Sequence, residues 1–336
     1  MNKQFPMTYM MLDARCCPKR RGPFLELIIF YLAYWIIKAI ESVVATIPQL
    51  VFFFKDPEFL ALMDPERLET ITVEEYTEVF VNVANRMPPW VIVFTLFATV
   101  VTIAGAIFVC LKLEQRNLSS MGIRRRGFFA EYGLGLLIGS ALLGLAVLIA
   151  HATDAIEVTA NPDANLGLIL VFFFAFAIQA LSEELLCRGY LMMSLFRTAS
   201  PLASVLISAL IFAVLHSGNT AVTPLALLNI FLVGIIFGVY TLKRGNIWGA
   251  AAIHAAWNFM QGNVFGIPVS GSNTSISLFN VSLNELRHQV NGGSFGLEGG
   301  LAVTIVLLIA IGLVFPLKAK KSELASVHTE DDQETA

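Results

Sequence analysis

The chain has 336 residues, 56% of them hydrophobic and only 14% charged, with a formal net charge of -3 and a mean hydropathy of +0.72. A water-soluble domain typically carries about 45–50% apolar residues, so the composition excludes that class and reads as a multi-spanning membrane protein. Its cations fall in short clusters at the ends of apolar runs and form no basic face, which excludes a nucleic-acid partner.

Crossing the hydrocarbon core takes about 20 apolar residues in a helix. Runs near that length occur at roughly 24–54, 89–111, 129–151, 166–196, 202–217, 222–242, 246–262 and 299–316. The expected fold is all-α, a multi-pass transmembrane helical bundle of about eight spans with a polar cavity opening to the cytoplasm. In chain order, 1–23 is a cytoplasmic tail and 24–164 carries the first transmembrane helices. Residues 165–262 hold the candidate catalytic core, 263–298 an extracytoplasmic loop, 299–316 the last span and 317–336 a cytoplasmic tail. The first run is too long for a signal-peptide core and no small-residue cleavage site follows it. Lys38 and Glu41 within it can pair on one helix face, a structural ion pair.

Basic residues cluster at Lys19–Arg21, Arg124–Arg126, Arg188 and Arg197, Lys243–Arg244 and Lys318–Lys321, all at one set of span ends. The positive-inside rule puts that set in the cytoplasm and, with it, both termini; the cell membrane is the expected location. The opposite connections, such as "ATDAIEVTANPDAN", are acidic. The loop at 263–298 is rich in Ser, Asn and Gly and reads as flexible, and the tail "HTEDDQETA" as disordered. Cys16, Cys17, Cys110 and Cys187 form neither CxxC nor a disulfide framework. Cys16 and Cys17 beside "PKRRG" leave lipid attachment in a eukaryotic host as an alternative.

Ionisable groups inside a span cost at least ~2.5 kcal/mol each at its centre and usually mark a cavity or pathway. The fourth run carries Glu183, Glu184 and Arg188, the fifth ends at His216, and the seventh carries His254 and Asn258. Counted from the basic ends at ~1.5 Å per residue, Glu183 lies about 21 Å in, His216 about 22 Å, His254 about 15 Å and Asn258 about 21 Å. They share one level. Glu184 and Arg188, four apart, share a face and can pair, while Glu183 is turned about 100° away and is left for chemistry. The alternative is that all three form one structural network. A lone His at a helix end is more often a capping residue than a ligand, and His151, His288 and His328 are read that way. Asn229 and "GIIFG" (Gly234–Gly238) read as packing features.

The motifs "EELLCR" (EExxxR), "FAVLH" (FxxxH) and "HAAWN" (HxxxN), in this order on successive apolar helices, resemble the CPBP family of intramembrane proteases, which comprises CAAX prenyl endopeptidases and bacteriocin-processing or self-immunity (Abi) proteins. The resemblance covers about residues 165–262. It implies a peptidase whose site residues are Glu183, Glu184, Arg188, His216, His254 and Asn258, acting on a membrane-associated peptide or protein at the lipid bilayer. Two routes stay open. In one, Glu183, His216 and His254 bind a divalent metal, zinc, whose water attacks. In the other, Glu183 polarises the water with His216 while His254 and Asn258 stabilise the oxyanion. The family is customarily labelled metalloprotease, yet its archaeal CAAX members lean to the metal-free glutamate route. Outside proteolysis, the same polar cluster suits an immunity or adaptor protein, or a proton-coupled transporter.

Overall fold

The computed structural model describes residues 5–18, 21–274 and 276–319. Lys19, Arg20, Lys320, Lys321 and the tail with His328 lie outside the described residues. The fold is an all-α membrane bundle with one small two-stranded sheet. We label the helices that match the apolar runs α1 (Pro23–Phe53), α2 (Pro89–Leu113), α3 (Phe128–Ala152), α4 (Leu166–Phe196), α5 (Pro201–Leu215), α6 (Pro224–Arg244), α7 (Trp248–Phe259) and α8 (Leu301–Val314). By length and composition, α1 to α4 and α6 can each cross a membrane, whereas α5 and α8 are shorter. The eight expected spans thus resolve into five full-length helices and three shorter ones packed among them. Outward faces show Trp35, Leu137, Leu148 and Leu313, an apolar perimeter suited to lipid.

The helices of the core start where their sequences supply caps. Asn165, Ser200 and Thr223 accept hydrogen bonds from the backbone N–H of Leu168, Ala203 and Ala226, and Pro201 and Pro224 follow at positions where no N–H is needed. Gly245, at φ 65°, ends α6 in the left-handed conformation. Helix α3 brings Gly135 and Gly139 against the backbone of α7, where a Cβ would collide with the carbonyl oxygens of Gly249 and Ile253. This small-residue contact fixes the register of α7, and so the height of His254. Gly234 of α6 packs on Ala209 of α5, as the "GIIFG" spacing suggested, and a Cβ there would come within 3.3 Å of Arg188 Nη2.

Two connections that composition makes loops are built into the fold. Strand β1 (Ile156–Ala160) pairs antiparallel with β2 (Phe279–Leu283), Ile156 opposite Leu283. The flexibility expected for 263–298 is corrected here. Its Asn and Gly residues are the means of closing a tight cap: Asn291 Nδ2 donates to Ala155 O at 2.7 Å and Asn263 Nδ2 to Ile276 O at 2.8 Å. Asn161 Nδ2 reaches across from the other connection to Ser277 O at 2.8 Å.

The polar cavity occupies one half of the bundle. Among its lining residues are Gly218, Asn219 and Thr220, just after α5, and Ser270, Ser272 and Thr274 of the cap. These sit at the helix ends remote from Arg124–Arg126, Arg197 and Lys243–Arg244. Toward the basic ends the way is closed by fully buried Arg188, Met192 and Phe196. The cavity thus lies in the half of the bundle away from the basic ends.

Candidate active site

The six residues singled out by spacing converge. Glu183 and Glu184 end the regular part of α4, which then widens into a π-helical stretch over Leu185–Met192. Such widenings recur at functional sites, and a second, Met260–Val264, follows Asn258 at the end of α7. Arg188 lies inside the first, with Nη1 donating to Glu184 Oε1 at 2.8 Å and Nη2 to Gly234 O at 3.3 Å. Its guanidinium stacks 4.2 Å above the ring centroid of Phe212, a cation–π contact in a desolvated setting. Glu184 Oε1 also meets His254 Nδ1 at 3.0 Å. Arg188, Glu184 and His254 thus form one chain, and Phe237 stacks on the imidazole at 5.3 Å.

Glu183 points elsewhere. Its Oε1 accepts from Gln179 Nε2 at 2.6 Å, and Gln179 Oε1 in turn accepts from Asn258 Nδ2 at 3.0 Å. Its Oε2 is buried without a hydrogen-bond partner. Facing that oxygen are His254 Nε2 at 3.8 Å and His216 Nε2 at 4.0 Å. His216 caps α5, and its Nδ1 lies 2.7 Å from Phe212 O. Since a carbonyl can only accept, Nδ1 carries the proton and donates, leaving Nε2 of neutral His216 as an acceptor. All three atoms border a cavity of about 510 Å³, also lined by Tyr34, Lys38, Leu96, Asn219 and Thr274.

The donor set is that of a His₂Glu zinc site. Bonds of about 2.0–2.1 Å in a tetrahedral site would put such atoms about 3.4 Å apart, a few tenths of an ångström closer than they stand. Among the described residues no three His, Cys, Asp or Glu side chains are gathered tightly enough to hold a metal. Glu183 Oε2 stands at a distance from each imidazole that a single water can bridge, and the groups would have to draw together to hold an ion.

Sequence reasoning missed four polar groups here. Gln179 precedes Glu183 by four residues, a helical spacing visible in "AIQALSEE". Lys38 pairs with Glu41 at 2.6 Å as expected, and Thr102 also donates to Glu41, but Lys38 additionally reaches the cavity wall. Glu298 and its partner Ser270 come from the cap, and no spacing signal links them to the motifs. His151 and His288 bind local carbonyls, Ile156 O and Glu285 O, away from the site.

No curated protein matches the chain. Residues 165–260, which run from the start of α4 to the end of α7 and hold all six converging side chains, match the family described as type II CAAX prenyl endopeptidase, Rce1-like. The membrane core is thereby similar to CAAX-type intramembrane proteases, and the resemblance carried by its three motifs extends over the whole of that stretch.

Proposed function

We propose that this chain is an intramembrane endopeptidase that hydrolyses a peptide bond of a membrane-associated substrate with water activated by Glu183. The carrying observation is the unpartnered Glu183 Oε2 facing two imidazole nitrogens at 3.8 and 4.0 Å beside a cavity. An unsatisfied buried carboxylate oxygen is costly and calls for a function or a bound molecule. Water placed there donates one hydrogen to Glu183 and meets Nε2 of His216. As its oxygen attacks the scissile carbonyl carbon, its proton passes to Glu183 and the carbonyl oxygen becomes an oxyanion. His254, held by Glu184 and protonated, donates through Nε2–H to that oxyanion; Asn258 offers the N–H not used on Gln179. When the C–N bond breaks, Glu183 returns the proton to the leaving amine, giving an amine and a carboxylic acid that then loses its proton to water. Should a divalent metal bind, Glu183, His216 and His254 would hold it and it would supply Lewis acidity; positioning by Gln179 and Glu184 is the same either way.

The basic helix ends, and with them both termini, lie on the cytoplasmic side of the cell membrane in this reading. The cavity lies toward the opposite helix ends, and a leader peptide, a CAAX-like peptide or a membrane regulator reaches it laterally from lipid or from an aqueous side. Wild type, Glu183→Gln, His216→Ala and His254→Ala protein in liposomes, given a fluorogenic leader-type peptide and a prenylated peptide, provide the test. Cleavage by wild type alone supports the reading, and cleavage retained in all three variants would sink it. Activity in chelator, with elemental analysis of the same samples, separates the two routes.

A binding or transport reading places no demand on Glu183 as a base. Solute flux in the same liposomes without peptide cleavage would favour it.

A further inference from the structure

Residues 261–300 lie outside the stretch that matches the family, yet they close one side of the site. Ser270 has φ 48°, in the left-handed region that non-glycine residues rarely adopt. Held so, its N–H and its Oγ both donate to Glu298 Oε2, at 2.8 and 2.7 Å. The Glu298 main-chain carbonyl accepts from Asn229 Nδ2 at 2.8 Å, and Asn229 is itself fixed by Thr304 Oγ1 at 2.8 Å. Gly296 and Gly271 let the two loop stretches touch, since a Cβ at the first would strike Pro268 O and at the second Thr220 O. Gly271 N–H donates to Phe295 O at 2.9 Å. The carboxyl is therefore clipped between two stretches of the cap.

What it faces is informative. Glu298 lines a chamber of about 30 Å³ shared with His216, His254, Asn258 and Ser270. Those same four also line the larger cavity that contains Glu183. They form a partition, with one carboxyl on each side. Burial pushes the Glu298 carboxyl above its ordinary value, against the hydrogen bonds of Ser270 and the charges of His216 and His254. Glu298 shares that chamber with both imidazoles while its own hydrogen bonds go to Ser270.

We propose that Glu298 is a positioning residue of the proteolytic site: anchored by Ser270, it walls the chamber behind His216 and His254 and limits how far their rings can turn. This rests on the peptidase reading above. Because it acts through the imidazoles and not on the substrate, its loss should reduce turnover and spare substrate binding.

Glu298→Ala, Glu298→Gln and Ser270→Ala proteins, compared with wild type in liposomes and labelled with ¹⁵N-histidine for NMR, test this. In folded Glu298→Ala, kcat should fall at least about tenfold with KM within about twofold, and the ring signals of His216 and His254 should move while that of His151 stays. Glu298→Gln can accept the same two bonds from Ser270 and should recover kcat to within about threefold of wild type. Ser270→Ala, which keeps the N–H, should lose about threefold in kcat. Unchanged kcat in Glu298→Ala, or a raised KM at constant kcat, overturns the proposal. If Glu298→Ala does not fold, Ser270→Ala decides, and wild-type kcat with unmoved rings overturns it. Absence of cleavage by wild type would defeat the peptidase reading instead. The ring signals, read without substrate, would still support Glu298 by moving or overturn it by staying.

Discussion

Two buried polar clusters lie in this membrane bundle, one at the basic helix ends and one at mid-depth, and they are built on different terms. At the basic ends Arg116 spends every donor: Nε on Ser120 Oγ, Nη1 on Tyr190 O and Ser194 Oγ, Nη2 on Ser120 O and Gly189 O. Beside it Glu114 binds Arg21 at 2.5 Å and Arg197 at 2.6 Å, and Arg197 also binds Glu26 at 2.6 Å. Among the described residues, Glu26 Oε2 is the one carboxylate oxygen there that lacks a partner. At mid-depth Glu183 Oε2, beside the cavity, and Glu184 Oε2 and Arg188 Nε, fully buried behind it, are all left over. The first cluster closes its charges on one another and ties α1, the end of α2 and α4 together. The second keeps valence open and water within reach, which is what chemistry needs and stability does not.

That contrast can be broken by experiment. Glu183→Gln should leave the fold intact and lower kcat by about 10³-fold, within the range of a lost general base, as measured by single-turnover cleavage beside a thermal melt. Glu114→Gln should do the reverse. Removing one partner of a buried ion cluster costs about 3–5 kcal/mol, so the melting temperature should drop while activity per folded molecule is kept. If Glu114→Gln instead cut kcat in molecules that stay folded, the division between the clusters would fail.

Smaller effects sharpen the comparison. Gln179→Ala frees both Glu183 Oε1 and Asn258, and kcat should fall about tenfold with little change in KM, read from initial rates over a substrate series. Cys187 borders the cavity, but among the described residues its thiol is hydrogen-bonded to no base, so Cys187→Ala should keep activity within about twofold. A loss above tenfold there would point to a thiol nucleophile.

Much of the site was legible because helical arithmetic holds inside a membrane. Counting residues from the basic ends put Glu183, His216, His254 and Asn258 at one level, and the four-residue spacing of Glu184 and Arg188 became an ion pair at 2.8 Å. Gln179 obeyed the same arithmetic but, as an uncharged residue, carried no strong signal. Glu298 and Ser270 were not legible at all, because a loop has no period, and its path is set by contacts such as Gly296 on Pro268 and Gly271 on Thr220. The Ser, Asn and Gly content of 263–298 fits both a flexible linker and a tight cap; hydrogen bonds from Asn263 and Asn291 to carbonyls decide for the cap. The place of the cavity within the bundle was not legible for a related reason. Charge bias reports which helix ends are basic, whereas the cavity is placed by side-chain volume, and bulky Arg188, Met192 and Phe196 fill the basic half.

The account stands on water, and no protein nucleophile, attacking the peptide bond. Cleavage of a membrane peptide in H₂¹⁸O with hydroxylamine present tests this most directly. The account predicts one ¹⁸O atom in the new C-terminal carboxylate and no hydroxamate. A hydroxamate product would reveal a covalent acyl-enzyme and contradict it.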